Sequence, residues 1–201
     1  MLAELPIPEA GDFCCISVGG AGGVAIGVAE WLGGAGDVCS QFEHVFLYVG
    51  GMNVVEAEPG GARLRKLTTF YPRGQRLVWS GSVGMHGPFT LLDQNERRHI
   101  CETGFDHADT KGHPGTPYSA LDYLSLAMRR FHIPVPGLRA YIKDSGHMIC
   151  SQLVDYCYQQ GGVELFSDGR WNGDVTPSDM ARLLIENGAT QYVGSDVAVN
   201  R

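Results

Sequence analysis

No run of five or more basic residues occurs in the chain, and Lys and Arg number 15 against 22 Asp and Glu. A formal net charge of −7 gives no positive stripe for a phosphate backbone, so nucleic-acid binding is not expected. Long apolar runs are also missing. No stretch approaches the roughly 18 residues that cross a bilayer, so no membrane span is expected. The first residues carry prolines and glutamate but no basic residue, the wrong pattern for a signal peptide. The expectation is a chain made soluble in the cytoplasm, which would need a particle or another secretion route to act outside a cell. The six cysteines form no disulfide framework, because they are scattered through 201 residues and Cys14 adjoins Cys15. Reduced thiols follow, and one of them can be catalytic. Internal repeats and low-complexity tracts are absent.

Glycine is abundant, at 28 residues, and much of it lies in runs between Gly19 and Gly36. Together with proline it cuts the chain into short elements. Phe13 to Val18 reads as a buried strand, and Val24 to Leu32 as a short helix. His44 to Val49 is strongly β-prone. Gly50-Gly51-Met52-Asn53 then makes a tight connection to a strand at Val54 to Ala57, which is a hairpin signature. Ala62 to Leu67 and Gln75 to Ser80 read as further strands. After Pro88 the pattern turns helical: Thr90 to about Ala108, Tyr118 to Phe131, and Met148 to Tyr158. A last helix runs from Pro177 to Asn187, with Thr176 as its N-cap and Gly188 after its end. The length suits a single domain over residues 1–201, β-rich over about 11–80 and helix-rich over about 90–188. The fold class expected is α+β.

Three residues attract chemistry. Cys150 follows a polar stretch ending in Gly146-His147 and precedes helical periodicity, which puts it near a helix N-terminus. The dipole and first-turn amides there stabilise a thiolate and can hold an oxyanion. A buried cysteine can equally be a small core hydrophobe. His44 opens a strand, a rigid place for a general base, although an isolated histidine is often structural. Glu56 sits among apolar residues on the paired strand, where a carboxylate is costly without a partner. Beside His44 it would orient the imidazole, the third role in a Cys-His-acid triad. Glu58 shares its face by period two and competes for that role.

These segments together resemble a family. Gly11-Asp12 before an apolar strand, His44-Val-Phe-Leu-Tyr-Val-Gly, Val54-Val-Glu-Ala, Gly115-Thr-Pro-Tyr118-Ser, Cys150-Ser-Gln-Leu-Val and Thr176-Pro-Ser-Asp are similar to the circularly permuted papain-like proteins of the NlpC type. YiiX-like hydrolases belong to that group, and lecithin:retinol acyltransferase-like enzymes lie further off. The histidine precedes the cysteine here, which is the permuted order. The resemblance implies a permuted papain-like fold, with an antiparallel, barrel-like sheet packed against a helical half. It also implies a cysteine peptidase or hydrolase, with Cys150 as nucleophile, His44 as base and Glu56 as orienting residue. Tyr118 would lie near the nucleophile and donate to the oxyanion or substrate; a core aromatic at a helix start is the other reading. The substrate class implied is an amide in cell-wall (peptidoglycan) peptide, with a lipid or other acyl ester or amide as alternative. A non-enzymatic part in a phage tail tip or similar assembly is the rival outside enzymology. The mechanism needs no metal or organic cofactor.

Other groupings carry less. His99, Cys101, His107 and His113 match no closed zinc spacing. The Gly19 to Gly23 run lacks the Gly-Lys-Ser/Thr ending of a phosphate loop. Ser80-Gly81-Ser82-Val83-Gly84 lacks the glycine two before its central serine that a nucleophile elbow needs. Trp171 reads as a structural anchor or a substrate wall.

Overall fold

Phe13-Cys-Cys-Ile and Val45 to Val49 are apolar without alternation, the pattern of strands buried on both faces. The computed structural model describes residues 8–17, 38–58, 61–70, 75–82, 92–109, 115–116 and 148–193. The glycine-rich stretch from Gly19 to Gly36, the helices expected at Val24 to Leu32 and Tyr118 to Phe131, and residues His113 and Tyr118 lie outside the described residues.

The strands are β1 (Phe13–Ile16), β2 (His44–Gly50), β3 (Asn53–Glu58), β4 (Gly61–Lys66), β5 (Arg76–Trp79) and β6 (Gln191–Val193). They form one antiparallel sheet in the order β4-β3-β2-β1-β5-β6. Among the described strands the sheet is open, ending in β4 and β6, so the barrel-like closure expected from the resemblance is not seen there. Three helices are described: α1 (Gln94–His107), α2 (Cys150–Gln160) and α3 (Pro177–Glu186). The α+β class and antiparallel sheet agree with the sequence reading. β6 does not: it returns the end of the helical half to the sheet beside β5.

Residue parity sorts the two cores. Phe13, Cys15, Val45, Leu47 and Val55 face Ile100 of α1, Leu153 and Val154 of α2, and Met180 of α3. Cys14, Ile16, Phe46, Val54, Leu77 and Trp79 make a second cluster, packed by Leu67 and Phe70 from the 3-10 turn after β4. In the β2–β3 hairpin Tyr48 stands opposite Val54 and Leu47 opposite Val55. The turn takes positive φ at Gly50, Gly51 and Met52, which glycine tolerates freely and methionine does not.

α1 begins at Gln94, later than the Thr90 expected. Asp93 caps it, its carboxylate accepting from the amides of Asn95 and Glu96 while Glu96 accepts from the Asp93 amide. That capping box sets the boundary. Leu92 belongs to the approach rather than to the helical stripe. α3 follows its expected caps, with Thr176 and Asp179 bonded reciprocally and Gly188 at a φ of 86°.

Gly11-Asp12 is a structural hub. Gly11, at a φ of 95°, donates its amide to Tyr48 O, and its carbonyl accepts from Tyr158 Oη of α2. The buried Asp12 carboxylate accepts from Arg97 Nη1 of α1 at 2.9 Å and from the Glu9 amide at 2.8 Å. Burial raises the Asp12 pKa, and the Arg97 bond only partly counters it.

Candidate active site

Cys150 is the first residue of α2, after Ile149 as N-cap. Three side-chain bonds fasten this end of the helix. Gln152 Oε1 accepts from the Ile149 amide at 3.1 Å, Gln152 Nε2 donates to Gly173 O at 2.9 Å, and Ser151 Oγ donates to Val175 O at 2.8 Å. The 171–176 segment is thereby the bed on which the start of α2 rests. Trp171 is half-buried in it, its ring so close to Gly173 that any side chain there would collide. That contact fits an anchor.

His44 is the first residue of β2, paired with Ile16 of β1. The sheet end where β2 starts meets the N-terminal end of α2, and the Cys150 and His44 side chains are in hydrogen-bonding contact. Cys150 is 1% exposed and the His44 side chain 13%. His44 Nε2 lies 2.6 Å from Glu56 Oε2, and the Glu56 side chain is 4% exposed. With Nε2 committed to the carboxylate, Nδ1 is the ring nitrogen left for the sulfur. Phe70 stacks on the imidazole, ring centroids 6.0 Å apart and planes 20° from parallel. The structure thus brings together Cys150, His44 and Glu56.

Glu58 is placed differently. It pairs with Arg63 Nη1 at 3.1 Å and bonds Arg65 Nη2, both on β4. Between the two glutamates, geometry puts Glu56 against the histidine. Arg65 also reaches Glu56, its Nε 3.2 Å from Oε1. Arg65 and Phe70 are further residues of the site that do not stand out in the sequence. The signal for the arginine was present, because Arg63 stands opposite Glu56 in the β3–β4 register and Arg65, two residues on and opposite Val54, shares its face.

The electrostatics follow from this packing. Burial alone would lower the His44 pKa. The Cys150 thiolate and the Glu56 carboxylate outweigh it and raise the value to about 10. Other thiols shift against reactivity: burial raises Cys14, Cys39 and Cys157, and carries Cys101 to about 11. None of the six cysteines is in a disulfide.

Gly115 and Thr116 of the resemblance motif sit beside the start of β4. Thr116 O accepts from the Ala62 amide at 2.8 Å, and the Thr116 amide donates to His107 O at 2.8 Å. A side chain at Gly115 would overlap the Ala62 carbonyl, which explains the glycine. His107 spends Nδ1 on Thr116 Oγ1, and burial lowers its pKa. Among the described residues no group of three or more His, Cys, Asp or Glu is placed to hold a metal ion. No described helix is long and apolar enough to cross a membrane.

No protein-family model matches the chain, and the search of curated proteins returns no match.

Proposed function

We propose that the chain is a cysteine hydrolase with a permuted papain-like fold, acting on amide bonds of cell-wall peptides. One observation carries the reading: a thiol on the first turn of a helix touches an imidazole whose other nitrogen is held by a buried carboxylate. The resemblance of the surrounding segments supports the substrate class, and the order of histidine before cysteine supports the permutation.

In the proposed reaction the Cys150 thiolate attacks the amide carbonyl carbon, and the oxyanion forms near the first-turn amides of α2. The His44 imidazolium gives its proton to the leaving nitrogen as the C–N bond breaks, leaving a thioester on Cys150. Neutral His44 then takes a proton from water, whose oxygen attacks the thioester. The acid departs, and the proton returns the dyad to its starting state. Glu56 keeps the ring turned toward the sulfur throughout.

The test is release of new amino termini from peptidoglycan fragments by the wild type and by Cys150→Ala. The wild type is expected to cleave, and loss of the nucleophile to lower the rate by at least about a thousandfold. Equal turnover by the two proteins overturns the assignment.

A further inference from the structure

Glu56 is almost wholly buried, yet both of its oxygens face a basic group. Oε2 meets His44 Nε2 at 2.6 Å, and Oε1 meets Arg65 Nε at 3.2 Å. A carboxylate buried without compensation tends to take up a proton. Protonation would be damaging at this position. A neutral Glu56 can donate to Nε2, and the neutral ring would then carry its own proton on Nδ1, against the sulfur. In that tautomer the imidazole cannot accept the thiol proton.

We infer that Arg65 is a positioning residue of this site, holding Glu56 as a carboxylate and thereby keeping the acceptor nitrogen of His44 turned toward Cys150. The inference rests on the hydrolase reading proposed above. Arg65 acts from a neighbouring strand and works through Glu56. Its guanidinium bonds Glu58 through Nη2 and lies as an ion pair beside the Glu56 oxygen that His44 leaves, where its cation favours the ionised form.

The charged and titratable groups described around the pair alternate in sign across four elements. They are Cys150 on α2, His44 on β2, Glu56 and Glu58 on β3, and Arg63 and Arg65 on β4. A Cys150 thiolate with a His44 imidazolium is neutral as a pair, and Glu56 adds one negative charge. Arg65 restores the balance. Arg63 stands opposite Glu56 in the strand register, but its guanidinium pairs with Glu58, which makes it the natural control: the same charge on the same strand, directed to the other glutamate.

The experiment compares wild type, Arg65→Gln, Arg65→Lys and Arg63→Gln as full chains. The rate of Cys150 alkylation by iodoacetamide is followed against pH, with mass spectrometry assigning the modified cysteine. Removing the Arg65 cation raises the cost of the thiolate and promotes protonation of Glu56, and both effects move the acid limb upward. The expected shift in Arg65→Gln is about half a pH unit or more. Arg65→Lys keeps the charge but loses the planar fork, so it falls between Arg65→Gln and wild type. Arg63→Gln follows wild type. The carboxyl carbon signal of Glu56 gives a second reading without relying on the thiol: it is expected to differ between Arg65→Gln and wild type at equal pH.

An Arg65→Gln protein that melts earlier but keeps the wild-type limb and carboxyl signal overturns the inference, because a merely structural arginine behaves so. An equal shift in Arg63→Gln also overturns it, since general surface charge would then suffice. A wild-type Cys150 no more reactive than the other five cysteines overturns the hydrolase reading instead, and the carboxyl signal still decides the role of Arg65.

Discussion

Between Glu56 and Cys150 the imidazole of His44 has one nitrogen for each partner. Two anions flank one ring, so its proton is held into the alkaline range against the pull of burial. The sign can be checked by removing one anion. Cys150→Ser puts a neutral hydroxyl where the thiolate stands, leaving burial opposed by Glu56 alone. The His44 titration, read from its ring nitrogen signals, is expected to fall from about 10 by more than a unit in that variant. An unchanged midpoint would show that the thiolate contributes nothing to holding the proton. The same residue scale explains why Cys150 is singled out among six thiols. Four of the others lie in strands or helix interiors, and burial disfavours the thiolate at Cys14, Cys101 and Cys157; only Cys150 combines a first-turn position with a basic partner.

Elements hold these residues in place through a few polar pins. The Asp12–Arg97 pair joins α1 to the start of β1 inside the protein, where a lost partner is more costly than on the surface. Arg97→Leu leaves the Asp12 carboxylate buried with only the Glu9 amide among its described side-chain bonds. Unfolding in urea is expected to show a loss of about 3 kcal/mol. Asp12→Asn in the same background should recover part of it, and additive losses would argue against a shared pair. Much of this element level was legible in the sequence. The strands announced themselves because apolar runs buried on both faces stand between glycine and proline, and α3 because Thr176, Pro177 and Gly188 are explicit helix boundaries. The apolar pattern extends α1 too far upstream because Leu91 and Leu92 continue it, while the Asp93 to Glu96 capping box that stops it is polar. Three residues, Gln191 to Val193, are too few to show a period, so β6 emerges only from its pairing with β5. At the site, Cys150, His44 and Glu56 could be named from their places at a helix start, at a strand start and on the paired strand, and were joined as a set by the resemblance of the surrounding segments. Choosing Glu56 over Glu58 required seeing how the arginines of β4 divide between them.

For the molecule as a whole, the buried carboxylate of Asp155 ties stability to acidity. Asp155 lies on α2, 2% exposed, and accepts from Gln159 Nε2. Burial raises its pKa from 3.8 to about 6; Arg170 opposes the rise and Glu164 adds to it. A folded pKa above the unfolded one means the folded state holds its proton more tightly. The associated stability is fully present below 3.8 and is lost as pH climbs through that value to about 6. Asp155→Asn removes the ionisation. Its margin over wild type is expected to grow by about 2 kcal/mol between about pH 4 and pH 7 in urea titrations. A margin that stays constant with pH would refute the linkage.

The hydrogen bond from Tyr158 to Gly11 spans 147 residues, and α2 brings it together with Cys150. The histidine and its acid, by contrast, lie 12 residues apart on one hairpin. A chain still on the ribosome and stopped between residues 66 and 149 has His44, Glu56 and Arg65, but not Cys150 to set against them. Under the proposed function, no such unfinished copy can cleave a bond. The price of that late arrival falls on assembly: a folding step that closes so long a loop is slow, and during it the newly made thiol waits without its partner.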